Sequence, residues 1–143
     1  MVWVQDGDSL IIKKNGRNVR VRLQGIDAPE KGQPFANKAK YAVINMAKNR
    51  SVRVVEKERD RYNRVVAKVF LPDGRDLSYV MVESGLAWRH VRYGKDSRLR
   101  TLEKAARKNR VGLWSDDKPT PPWVWKRQSR KKNGKQCRSG GDR

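Results

Sequence analysis

Asn18-Val19-Arg20-Val21-Arg22-Leu23-Gln24-Gly25-Ile26-Asp27-Ala28-Pro29-Glu30 is the stretch that decides the fold. Val19, Val21 and Leu23 alternate with Arg20, Arg22 and Gln24, which predicts a half-buried strand over Asn18–Ile26. The strand runs directly into a loop that carries Asp27 and Glu30. Upstream, the apolar run Ser9–Lys13 ends at the Asn15-Gly16 turn signal, so these two strands form a hairpin, with a short strand before them. Downstream, Ala39, Ala42, Val43, Met46 and Ala47 recur at helical spacing within Ala36–Asn49. Ser51–Glu58 and Arg64–Leu71 are Val-rich strands, the second closed by Pro72-Asp73-Gly74. Leu77–Ser84 reads as a helix stopped by Gly85, and Ser97–Asn109 as another, with Ser97 as N-cap and Leu99, Leu102, Ala105 and Ala106 as its buried stripe. Three strands, a helix, two strands and further helices predict a mainly β, α+β fold. That order suggests a small antiparallel barrel, and the five-stranded OB type with three helices is one of the few such architectures.

The chain has 143 residues, which suits one domain. Its 35 Lys/Arg against 15 Asp/Glu give a net charge of +20, which points to a polyanionic partner, nucleic acid first and an anionic membrane surface second. No apolar run reaches the roughly 20 residues of a membrane span. No leader pattern opens the chain, and the compartment stays open. One cysteine, Cys137, excludes an internal disulfide and a Cys-rich zinc site; one histidine, His90, excludes paired-imidazole chemistry. The charge is uneven. Lys118–Arg143 holds nine basic residues and one acid, together with Pro119, Pro121, Pro122, Trp123 and Trp125. This predicts a domain over residues 1–122 and a basic, disordered tail over 123–143, with the tryptophans either packed on the barrel or stacked on bases. Loss of the tail beyond Pro122 is expected to weaken substrate binding without touching the chemistry.

Polar residues gather where the strands end. Asp6-Gly7-Asp8-Ser9 precedes the first clear strand, Arg22 lies on the next, Asp27 and Glu30 follow it, and Asp60-Arg61-Tyr62-Asn63-Arg64 joins the two later strands. Each has a plain reading: a solvated strand arginine, a turn, a loop acid. Together they assemble a different chemistry. Asp8 and Asp27, with a backbone carbonyl and water, make a hard-oxygen site for Ca²⁺ or Mg²⁺. Arg22 and Arg64 offer planar forks for phosphate oxygens. Glu30, placed by Pro29, can align or deprotonate a water. Metal, carboxylate and arginine suit attack of water on a phosphodiester.

Asp6-Gly7-Asp8-Ser9, Arg22 to Glu30, Asp60 to Arg64, Ser84-Gly85-Leu86-Ala87 and Gly112-Leu113-Trp114-Ser115, in this order and spacing, resemble the staphylococcal nuclease (thermonuclease-like) family over about Val2–Trp114. The resemblance implies a five-stranded OB-type barrel with three helices. It also implies Ca²⁺-dependent hydrolysis of DNA and RNA that leaves 3′-phosphate ends, by a monomer of secreted or periplasmic type. By the same resemblance Asp8, Asp27 and the carbonyl of Ala28 are metal ligands, and Glu30 acts on the attacking water. Arg22 and Arg64 hold the reacting phosphate, Arg61 and Tyr62 contact a terminal phosphate, and Tyr93 lies near a base. Val91 stands where a second tyrosine is common, and Asn63 where a glycine is, a position at which Asn tolerates left-handed angles. The N-terminal strand and the loop Lys31–Asn37 look shorter than in well-known members. The competing reading is a non-catalytic nucleic-acid-binding OB module, since such barrels often bind without cutting. A lipid-binding basic protein leaves the acid–arginine set unexplained.

Overall fold

The computed structural model describes residues 2–90 and 94–128. Its long strands are β1 (Val2–Asp6), β2 (Ser9–Lys14), β3 (Arg17–Leu23), β5 (Arg53–Arg59) and β6 (Val65–Phe70). They form one sheet in the order β1-β2-β3-β6-β5. All neighbours are antiparallel except β3 and β6, which run parallel from Val21↔Val65 to Leu23↔Ala67. The two residues of β4 (Ile26–Asp27) leave this sheet and pair with β7 (Trp88–Arg89), Asp27 opposite Trp88. The expected strand that ran to Ile26 therefore breaks at Gln24-Gly25. Gly25 sits at φ 80°, a left-handed turn that swings Asp27 away from the β3 line.

The apolar pattern chooses the inner face. β6 alternates strictly, with Val65, Ala67 and Val69 buried. They meet Leu10, Val21 and Leu23 from β2 and β3. Helix α1 (Ala36–Ala47) closes one side with small residues, Ala39, Val43 and Ala47, so its backbone comes close to the sheet. Gly7 belongs to the same close approach, because a Cβ there would lie 2.8 Å from the Cβ atoms of both Ala28 and Ala39. Helices α2 (Leu77–Glu83) and α3 (Ser97–Lys108) complete the core through Leu77, Met81, Val82 and Leu99. A short 3₁₀ helix, Gly112–Ser115, follows.

Several expectations change. Edge strands β1 and β5 are not paired to each other among the described residues, so the sheet stays open instead of closing into a barrel. Among the described residues a fourth α-helix, α4 at 122–128, joins the expected three. It begins at Pro122, whose fixed φ and missing N–H suit a first helical position. The cap of α3 is Asp96, which accepts the Arg98 N–H at 2.8 Å, not Ser97. Ala105 of the expected stripe faces solvent, and Glu103 is buried in its place. Glu103 is held by the Arg89 N–H at 2.7 Å and by Arg107 at 3.4 Å, which is why a charge is tolerated there.

The boundary expected after residue 122 falls within the described structure. Trp123 packs edge-on against Trp88, ring centroids 5.5 Å apart, and Trp88 packs on Trp114 at 4.4 Å. Arg107 lies over the Trp114 ring. Residues 129–143, which hold the rest of the expected tail, lie outside the described residues.

Candidate active site

Backbone register brings the distant acids and arginines together. Ser9 on β2 lies opposite Arg22 on β3, and Arg22 lies beside Val66 on β6. The start of β2, the end of β3 and the start of β6 therefore share one end of the sheet. The Leu23 N–H donates to the Asp8 carbonyl at 2.9 Å and locks that junction.

Arg22 sits between two acids. Its guanidinium lies 3.5 Å from Asp8 Oδ2 and 3.7 Å from Asp27 Oδ1, and donates to the Ile26 carbonyl at 3.2 Å. Asp8 is buried and accepts from the Ala28 N–H at 2.8 Å and from the Ser9 hydroxyl at 3.1 Å. Burial works against the Asp8 charge, but the Arg22 charge and hydrogen bonds from Asp6, Ala28 and Ser9 outweigh it and hold its pKa below the usual range. Asp27 is pushed up to about 7 by burial and by the neighbouring Asp8 charge, against the pull of Arg22. Asp6 is also pushed up to about 7, by burial and then by Asp8; its side chain accepts the Asp8 N–H at 3.0 Å.

The result is a site with more negative charge than Arg22 can neutralise. Two carboxylates that resist ionising together are what a divalent cation relieves. Among the described residues, no group of three or more His, Cys, Asp and Glu side chains is gathered to hold a metal alone. Asp8 and Asp27 would need a backbone carbonyl and water to complete a hard-oxygen set. That donor chemistry suits a hard divalent cation such as Ca²⁺ or Mg²⁺ better than a soft ion.

Arg64 joins from the position just before β6. Asp60 builds its turn by accepting the N–H groups of Tyr62 and Arg64, each at 2.9 Å, while its other oxygen takes Arg64 Nε at 2.8 Å. Asn63 at φ 61° closes the turn in the left-handed region, as its residue type allows. Arg64 then reaches the Ser9 hydroxyl at 3.4 Å, which links it to Asp8. Arg22, Arg59, Arg61, Tyr62, Arg64 and His90 line a groove of about 650 Å³. Tyr62 is 54% exposed, with Arg61 and Arg64 near its ring face, so its ring is available to a ligand. Tyr93 lies outside the described residues.

Glu30 follows the metal-type acids and contributes to the charge felt at Asp6 and Asp27. Its N–H is held by Gln33 Oε1 at 2.9 Å, and its carboxylate by Lys126 at 3.2 Å. Gln33 also donates to the Thr120 carbonyl. Sequence reading named Asp60 without a role and missed Gln33 and Lys126. Asp60 had a signal, an Asp four residues before an Arg across a turn. Lys126 had none, because it lies 96 positions from Glu30 in a segment read as tail.

The family model described as staphylococcal nuclease homologue matches residues 20–116. An endonuclease of Escherichia coli that carries the description uncharacterized is 38% identical over 126 residues, covering 88% of this chain and 82% of that protein. A micrococcal nuclease of Shigella flexneri is 39% identical over 140 residues, covering 91% and 80%. A staphylococcal-like nuclease of Arabidopsis thaliana is 36% identical over 114 residues, 80% of this chain but 35% of the plant protein. The family match spans Arg22, Asp27, Glu30 and Arg64, and the structure adds Asp8 to them from outside that span. Matched through its core and over most of the length of bacterial relatives, the chain belongs to the staphylococcal nuclease family.

Proposed function

We propose that this protein is a Ca²⁺-dependent nuclease that hydrolyses phosphodiesters of DNA and RNA and leaves 3′-phosphate ends. The observation that carries the reading is Arg22 held between Asp8 and Asp27 while it lines an arginine-rich groove. Membership of a nuclease family supports it. The open sheet is read as an OB-type barrel, a fold that is itself often only partly closed.

Asp8, Asp27 and the Ala28 carbonyl would hold the ion, which when bound supplies positive charge beside a nonbridging phosphate oxygen. The groove takes the nucleic-acid backbone, with Arg61 and Tyr62 on a flanking phosphate and Tyr93 near a base. Arg22 and Arg64 donate to the phosphate oxygens and favour the extra charge of the five-coordinate state. Their directions are set beforehand, Arg22 by Asp8 and Asp27, Arg64 by Asp60, so little reorganisation is needed. Glu30 takes a proton from water as its oxygen bonds to phosphorus. The bond to the 5′-oxygen breaks, and that oxygen takes a proton from solvent, leaving the phosphate on the 3′ side.

Plasmid DNA and a defined RNA, each incubated with Ca²⁺, with Mg²⁺ or with chelator, test the proposal. Cleavage of both that needs Ca²⁺ and yields 3′-phosphate ends is expected. Tight binding without Ca²⁺-dependent cutting would establish the non-catalytic module instead.

A further inference from the structure

The nuclease family match ends at residue 116, yet the chain beyond it returns to the candidate site. Trp123 anchors α4 on Trp88, and Trp88 stands opposite Asp27 in the β4–β7 pair. A second tie runs through buried Gln33, whose side chain holds the Glu30 N–H on one side and the Thr120 carbonyl on the other. The C-terminal segment is thus fixed to the Glu30 loop and to the strand that carries Asp27. At the end of this docked segment, the Lys126 ammonium lies 3.2 Å from one Glu30 carboxylate oxygen.

We propose that Lys126 is a positioning residue for Glu30, holding one carboxylate oxygen and leaving the other to accept the proton of the attacking water. The role rests on the nuclease reading above. Glu30 is 28% exposed at its side chain, and among the described residues Lys126 is its ion-pair partner. Without it a flexible side chain would sample rotamers that miss the water. The pair does not work as a lock that shuts the site. Lys126 is 57% exposed, and ion pairs so solvated are worth too little to exclude a polyanion. Nor is Lys126 mainly a distant attractor of substrate, because its ammonium is in direct ion-pair contact with the Glu30 carboxylate.

Lys126→Met keeps the aliphatic stem and removes the charge at an exposed position. Steady-state cleavage of one oligonucleotide, with Lys126→Arg as the conservative variant, separates the roles. The expected result for Lys126→Met is a fall in kcat of about tenfold with KM within about twofold, and return to within about threefold of wild type in Lys126→Arg. A higher kcat in Lys126→Met would show a lock and overturn the proposal; so would a change confined to KM. Calcium titration of the same full-length proteins, without substrate, is the second readout. Removing a positive charge beside the acids should tighten Ca²⁺ binding about threefold in Lys126→Met and leave Lys126→Arg unchanged. Unchanged affinity together with unchanged kcat would place Lys126 away from the acids and sink the proposal. A wild-type protein that failed to cut with Ca²⁺ would overturn the nuclease reading and this role with it. The calcium titration distinguishes that case from a failure of Lys126 alone.

Discussion

At the scale of single residues, scarce negative charges decide the chemistry. Arg22, Arg64 and Glu30 are each held by named partners, so their removal should cost function more than fold. Arg22→Ala, Arg64→Ala and Glu30→Gln should each lower kcat by about 10²–10³ under saturating Ca²⁺ with far-ultraviolet circular dichroism unchanged. Near-wild-type kcat in any one would remove that residue from its role. The acids make a second prediction. Asp27 and Asp6, both pushed up to about 7, hold their protons more tightly in the folded metal-free protein than in the unfolded chain. Their contribution to stability is full in acid and is lost as pH rises toward 7. Asp27→Asn mimics the protonated form, so its melting temperature without metal should exceed that of wild type by a margin that grows from about pH 5 to about pH 8. Ca²⁺ should raise the midpoint of wild type and scarcely that of Asp27→Asn. A margin that shrinks with rising pH would contradict this account.

At the scale of elements, close approach and docking set the site. Gly7 lets the turn that carries Asp8 lie against Ala28 and against Ala39 of α1. Gly7→Ala would push a methyl into both and should cost about 1–3 kcal/mol in denaturant unfolding, with weaker Ca²⁺ binding because Asp8 is displaced. An unchanged unfolding midpoint would show that α1 yields easily. Helix α4 changes what truncation means. A chain ending at Gln128 loses six basic residues and one acid but keeps Lys126. It should show a higher KM with a flatter salt dependence and unaltered kcat. A chain ending at Pro121 also loses Trp123 and Lys126, so its kcat should fall as well. Equal kcat in both would return α4 to the role of a binding tail.

For the whole molecule, the strand order was legible because alternation survives in each segment. Val19, Val21 and Leu23 announced β3, and Val65, Val69 and their neighbours announced β6. The clustering of Asp8, Arg22, Asp27 and Arg64 was legible only as motifs at strand ends; their distances depend on the β2–β3–β6 register. Two features were hidden for physical reasons. Buried Glu103 breaks an apolar stripe because Arg89 and Arg107 satisfy it, and neither partner is visible in the periodicity of α3. The open edge between β1 and β5 reflects how far the sheet coils, which no local pattern encodes.

The sequence by itself determined the polyanion preference through a net charge of +20, the β-rich core through alternation, and the residue types available for chemistry. Those properties are local or additive, so they can be read one segment at a time. Only the tertiary structure decided that Arg22 lies between Asp8 and Asp27, that Asp60 aims Arg64, and that a C-terminal helix returns Lys126 to Glu30. Those contacts join residues far apart in the chain, and sheet register and the packing of Trp123 on Trp88 set them.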